Sequence, residues 1–496
     1  MKNKETLLSM ISGLILQFFT IISGFILPKI ILSYFGSEVN GLVSSLNQFL
    51  AYITLVEGGI TGVILANLYK PLVDKDEKKL SSVLVTADSF FKKIGLLFVV
   101  YTLILATVYP IIFKTRFSYG YIFLLTMILS VNLLIQYMFS LTLKTILNAD
   151  KKGYIVNFTQ TIIVICNIIL AIISVIIYPS IHVLKLISGM LFILQPVVFG
   201  KYVKSHYHID WRAPRDNSLI KERWNGFAIN LAAFIHNSTD ITILTIFTSL
   251  KIVSIYSVYN LVSSGIKQLI NACLTGIAHT VGQAYAKRNF DELNQKMDIY
   301  EYIVFVLVYF FFTVSALLIT PFVQIYTKGI VDTNYYQPVF GILLLISEAL
   351  YLIKLPHLNL AYSANKFKEI TLPAFIEATL NIVISIILVS KWGLIGVAVG
   401  TIAGMIYRMV FHVYYTSKIV PDRKQSKFYK KFLLFSVTAI IGFYLCYKCF
   451  PIVNVTVFNW IMHAIIYCVI LGSIYGLISF GFFKKELKFF IRYLKR

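Results

Sequence analysis

Apolar residues fall along this chain in runs of about 20, which is the length a helix needs to cross the hydrocarbon core of a bilayer. Fourteen such runs are predicted, with approximate limits 7–27, 40–66, 94–113, 119–141, 155–178, 182–203, 225–248, 254–280, 302–326, 336–361, 370–390, 394–417, 431–450 and 457–480. The longest polar segments between them, 67–93 and 204–224, are too short to fold as a domain of ordinary size. The pattern predicts an all-α integral membrane protein.

Some runs carry polar stripes. On a helix, residues three, four and seven apart share a face. The run 225–248 places Asn230, Asn237 and Asp240 on one stripe, with His236 a turn before Asp240. The run 40–66 aligns Asn47, Thr54, Glu57 and Thr61, and the run 254–280 aligns Asn260, Ser264, Lys267 and Asn271. Charge inside a membrane is costly and faces protein or a water-filled cavity, so the three stripes are expected to line a cavity or meet one another. Glu377 and Arg408 fall at similar depths on adjacent antiparallel runs, which predicts a structural ion pair. Glu348, Lys354 and His357 surround Pro356, a proline expected to kink its helix.

The chain also repeats itself. "NADK" at 148–151 returns as "SANK" at 363–366, and "ISGMLF" at 187–192 as "IAGMIY" at 402–407, both 215 residues later. "DEKKL" at 76–80 matches "FDEL" at 290–293 at an offset of 213. A period near 214 residues that holds six runs predicts two parallel six-helix repeats around a central cavity, followed by two C-terminal helices. The expected divisions are a first lobe over 1–203, a cytoplasmic linker over 204–224, a second lobe over 225–418 and an addition over 419–496. Subtracting 213 from Lys267 gives position 54, one helical turn from Glu57, so these two charges are expected to face each other as near pseudo-symmetric mates. Along the helices, Lys267 falls at mid-membrane, Glu57 further inward and Asp240 in the outer half.

Composition and charge narrow the function. With 58% hydrophobic and 14% charged residues, the chain far exceeds what a soluble core needs. Its net charge of +23 could suggest nucleic acid. With the N-terminus inside, however, and with Lys201, Lys431 and Lys448 at run ends counted on the side they adjoin, 34 of the 45 Lys and Arg fall on the inner side, 7 on the outer side and 4 within runs. That asymmetry is topogenic: it predicts both termini in the cytoplasm and argues against a nucleic-acid role. The first run, behind Lys2 and Lys4, is too long for a signal core and is expected to be kept as a span. The five cysteines lie in or beside runs, and Cys446 and Cys449 lack a second ligand pair for zinc. No phosphate loop, zinc motif or paired-carboxylate cluster supports an enzyme, and no metal site or cofactor is expected. The tail "FFKKELKFFIRYLKR" segregates apolar from basic residues and predicts an amphipathic helix on anionic lipid headgroups.

The order "LPKIILSYFGSEVNGLVSSLNQFLAYITLVEGGITGVILANLYKPL" (27–72), "ILNADKKGYIVNFTQ" (146–160), "HNSTDITIL" and "VSIYSVYNLV" (253–262) resembles bacterial polysaccharide repeat-unit flippases. These are the Wzx-like members, for O-antigen or capsule, of the superfamily that also holds lipid II flippases and multidrug and toxin extrusion exporters. The resemblance implies movement of an undecaprenyl-diphosphate-linked oligosaccharide to the outer leaflet of a bacterial cytoplasmic membrane. It also implies drive from the membrane potential or a proton or sodium gradient, and work alongside a polysaccharide polymerase and other assembly proteins. Family members usually carry an acid followed by a single glycine in the second span, where this chain has Glu57, Gly58 and Gly59. On this reading Lys267 contacts the diphosphate, with Asn260, Asn271, Asn47 and Asn237 beside the cargo and Tyr256 and Tyr259 as sugar-stacking candidates. Asp240, Glu57 and His236 would gate or couple. A structural Glu57–Lys267 ion pair is the competing role for those two charges, and an ion-coupled multidrug exporter is the competing function.

Overall fold

The computed structural model describes residues 2–57, 59–113, 116–216, 234 and 238–494, and these form helices joined by short turns. They divide into two compact units, Met1–Phe234 and Ile235–Arg496.

In the first unit, α1 (Lys2–Ala51) is broken only at Gly36, whose φ of 82° and ψ of 177° suit no residue with a Cβ. The polar gap between the first two apolar runs is thus helical rather than a loop. After α2 (Thr54–Glu57), Gly59 takes φ 81° and opens α3 (Ile60–Asp74). Gly59 therefore marks a real helix break. The Asp76 carboxylate accepts from Lys79 N and starts α4 (Glu77–Ile112), so the predicted loop 67–93 shrinks to a two-residue turn between long helices. Next come α5 (Tyr119–Ile135), a π turn over Gln136–Ser140, α6 (Leu141–Ala149), α7 (Gly153–Ile177), α8 (Ile181–Met190) and α9 (Leu194–His206). α1 packs along α7, and α5 packs against α4 and α8. Asn157 on α7 donates to Ser9 O (3.2 Å) and Ser12 Oγ (3.1 Å) on α1.

The second unit runs through α10 (Ser238–Phe247), α11 (Leu250–Ala286), α12 (Phe290–Tyr326), α13 (Pro338–Ile353) and α14 (Leu355–Ser363). It continues through α15 (Phe367–Trp392), α16 (Leu394–Ile419), α17 (Gln425–Cys449), α18 (Val457–Phe482) and the amphipathic α19 (Lys484–Leu494). α15 and α16 form its closest helix pair. Gly396, Gly400 and Gly404 supply the small face: a Cβ on Gly400 would collide with Ser385 Oγ and sit 2.8 Å from Asn381 O. α17 and α18 pack on α12, so the helices after 419 belong to this compact unit. The break between α13 and α14 falls at Lys354, two residues before Pro356.

Landmarks recur between the units at the sequence period. Lys75 and Arg288, 213 residues apart, both take positive φ (55° and 54°), and so do Lys151 and Asn365 (60° and 54°). Each of Asp76 and Asn289 caps the long helix that follows. The π turn of the first unit and the Lys354 break of the second interrupt equivalent helices.

Among the described residues eleven helices are long and apolar enough to cross a membrane, and the chain is a multi-pass membrane protein. The count differs from the fourteen predicted for three reasons. The stretch Glu5–Glu57 joins two predicted runs, most of 225–248 lies outside the described residues, and α11 is long enough but too polar to qualify.

Candidate functional site

The second unit contains the richest polar chemistry among the described residues. Asp240, on the first turn of α10, is 6% exposed. Its Oδ2 accepts from the Tyr256 hydroxyl at 3.0 Å, and Thr401 Oγ lies 3.0 and 3.2 Å from its two oxygens. Thr401 Oγ also lies 3.5 Å from Asn381 Oδ1, which accepts from Ser385 at 3.1 Å. The carboxylate is thus held by hydroxyl groups from α11 and α16, with no Lys or Arg in ion-pair range among the described residues.

A string of charges lies on the neighbouring helices. Lys267 Nζ on α11 is 2.8 Å from Glu348 Oε2 on α13, an ion contact whose angle is not that of a hydrogen bond. Lys267 and Lys354 both sit over the Tyr351 ring, 4.7 and 4.6 Å from its centroid. Lys354 lies 3.9 Å from Glu377 Oε1 and donates to Met405 Sδ at 3.4 Å. Arg408 Nη1 donates to Glu377 Oε2 at 3.0 Å, and Arg408 Nε donates to His412 Nε2 at 2.7 Å. The string therefore holds three cations and two carboxylates. Lys267 and Glu348 are its more accessible members, with side chains 16% and 12% exposed. Lys354, Glu377 and Arg408 are buried.

A separate cluster ties α12 to α17. Glu301, 0% exposed, pairs with Arg423 and with Lys431 (3.1 Å), and Asp298 pairs with the same two cations at 3.3 and 3.4 Å. Burial works against the Arg423 charge, but Glu301 and Asp298 outweigh it and hold the guanidinium above its ordinary pKa. In the first unit, Lys152 pairs with Glu5, and that hydrogen bond raises its pKa.

The remaining sequence candidates occupy different settings. Glu57 is half-buried, accepts from Thr61 and lies 3.5 Å from the Tyr137 hydroxyl, all within the first unit. Lys267 has Glu348 as a carboxylate partner within the second unit. The reason is local: Glu348 and Lys267 stand on packed helices of one unit. Tyr256 and Tyr259 are buried with their rings on Phe340, at 5.9 and 5.4 Å, and Tyr259 also donates to Tyr335 O. Neither ring offers an open face. Asn260 Oδ1 accepts from Ser263, and Asn271 is half-buried. Asn47 is exposed toward a polar cavity of the first unit. Asn230, His236 and Asn237 lie outside the described residues. Tyr256, Thr401 and Glu348 are the partners that sequence reasoning did not assign, because side chains on separate helices show no spacing signal.

No protein-family model matches this chain, and no curated protein does. Its fold is similar to that of solved membrane transporters. The lipid II flippase MurJ in an inward closed conformation superposes with a TM-score of 0.72 at 17% identity, covering 95% of this chain and 98% of that one. A multidrug resistance MATE family transporter of the MOP superfamily, inward-facing, gives 0.66 at 14% identity, over 84% of this chain and 98% of that one. The MATE multidrug transporter DinF-BH gives 0.61 at 16% identity, over 85% of this chain and 97% of that one. At these identities the likeness is one of fold, and the fold is the one shared by MurJ and the MATE transporters.

Proposed function

We propose that the protein is a flippase. It moves an undecaprenyl-diphosphate-linked oligosaccharide repeat unit from the inner to the outer leaflet of a bacterial cytoplasmic membrane by alternating access, for surface polysaccharide synthesis. The observation that carries this reading is Lys267, an intramembrane cation that is partly open and belongs to a string with more cations than carboxylates. An ammonium compensates a phosphate away from bulk water, and a second cation nearby lets Lys267 exchange Glu348 for a ligand phosphate without stranding a net negative charge. The fold likeness to a lipid II flippase supports the same reading. Both termini are assigned to the cytoplasm on the distribution of Lys and Arg.

Asp240 serves this reading as a coupling carboxylate, since a buried acid held by neutral hydrogen-bonding groups can exchange a proton or bind sodium. It is also the observation that favours the multidrug exporter. Depletion of the protein followed by leaflet-resolved labelling of lipid-linked glycans separates the two. Glycan trapped on the cytoplasmic face supports flipping, and unchanged glycan with increased drug sensitivity supports the exporter. In the same assay, Lys267→Arg should keep most export and Lys267→Gln should lose at least about tenfold. Full export by Lys267→Gln at normal protein level would remove Lys267 from the cargo site.

A further inference from the structure

The first unit holds a polar cavity of about 230 Å³ lined by Asn47, Asn132, Asn167, Lys185 and Ser188, with Ile128, Leu129, Gly189 and Phe192 around them. Lys185 stands on the second turn of α8, about 6 Å along the axis from its first residue. It has no hydrogen-bond or ion-pair partner among the described residues, and no acidic side chain lines the cavity. An intramembrane ammonium left this way is costly, and a lysine that only snorkelled would turn its amine toward the headgroups instead of a pocket of carboxamides.

The second unit shows what such a pocket accommodates. Ser188 donates to Asn167 Oδ1 at 2.6 Å in the first unit. The second unit holds a similar hydroxyl–carboxamide pair, Thr401 and Asn381, with their polar atoms 3.5 Å apart. There the chain supplies its own anion: the Asp240 carboxylate sits on Thr401. The first unit has the lysine and an open volume.

We infer that the Lys185 cavity binds one anionic, hydroxyl-bearing group, an acidic sugar residue of the glycan cargo. The ammonium meets the negative charge, while the carboxamides and the serine, each able to donate and accept, meet hydroxyls. A volume below the roughly 300 Å³ of drug-sized sites holds a single ring. The charge can come from a sugar carboxylate or from a sugar phosphate. This inference rests on the glycan-flippase reading but fails separately from it, because it is read as binding to purified protein and not as export.

The test uses the full chain in zwitterionic nanodiscs with methyl glucuronide, glucose 1-phosphate and methyl glucoside as probes. One or both anionic sugars should bind about tenfold more tightly than methyl glucoside. The preference should vanish in Lys185→Gln and persist in Lys185→Arg. The stronger of the two anionic probes identifies the source of the charge. Because Lys185→Gln could disturb folding, wild-type protein is also probed by site-resolved amine labelling, where the preferred anionic sugar should protect Lys185 and methyl glucoside should not. Equal binding of the three sugars, absence of binding, or an unchanged preference in Lys185→Gln overturns the inference, as does labelling of Lys185 that no sugar alters.

Discussion

The two units follow the same chain path but use it for opposite electrostatics. Around the second unit's Asn381–Thr401 pair the chain places a resident carboxylate, and beside it a string of paired charges running from Lys267 to Arg408. Around the first unit's Asn167–Ser188 pair there is a lysine with no acid beside it, and Glu57, a further deep charge of that unit, is met by hydroxyls. A repeat thus preserves helix breaks and caps, which depend on backbone geometry, while the charges diverge. In the second unit most charges satisfy one another. In the first, Lys185 has no ion-pair partner among the described residues, and Glu57 meets hydroxyls.

If that contrast is right, substitutions in the second unit should cost stability and those in the first should cost transport. The largest stability effect is expected at Glu301. Its replacement by Ala leaves Arg423 and Lys431 facing each other with only Asp298 between them. Removing one partner of a buried pair typically costs about 3–5 kcal/mol, so Glu301→Ala should show a large drop in thermal stability in detergent, or fail to accumulate. A variant as stable as the wild type would mean that the cluster does not hold α12 to α17.

Second in size is Gly400→Val. The α15–α16 contact has no room for a side chain at this glycine, and overpacking a tight contact costs typically about 1–3 kcal/mol. On α8 of the first unit, Ile187→Val trims one methyl from a half-buried residue and should alter the melting temperature far less. Equal losses in both would argue that the two helix pairs are packed alike. A smaller effect, about 1 kcal/mol, is expected for Thr401→Ala, which removes one hydroxyl from Asp240 and leaves Tyr256 in place.

How far this could be read from sequence depended on the physics of each feature. Membrane spans and the period were legible because apolar length and repetition are one-dimensional signals, and the Glu377–Arg408 contact followed from depth alone. The helical path through Gly36 and the near-continuous α3–α4 hairpin were not legible, because polarity was read as loop where helices project beyond the apolar runs. Partner choice was the least accessible. The offset linked Lys267 to position 54 and so to Glu57, but symmetry relates positions without making contacts, and the carboxylate beside Lys267 is Glu348 on a packed helix of the same unit. Lys185 drew no notice because a single lysine near the end of a run looks like an interfacial residue. Only the three-dimensional lining of its cavity sets it apart.

The smallest stability effect, and the sharpest test of the contrast, is expected for Glu57→Gln. The side chain is half-buried at a helix break, its bond from Thr61 needs only an acceptor, and the Tyr137 hydroxyl at 3.5 Å contributes little. Glutamine keeps an oxygen for Thr61 and changes the shape hardly at all, so unfolding should shift by less than about 1 kcal/mol. Export, measured by leaflet-resolved labelling at matched protein level, should nevertheless fall by about tenfold or more if the charge at this position takes part in coupling, and Glu57→Asp should recover part of it. A large stability loss would place Glu57 with the structural charges of the second unit and dissolve the distinction between the two halves. Unchanged stability with unchanged export would remove Glu57 from transport and leave Lys185 to carry the contrast on its own.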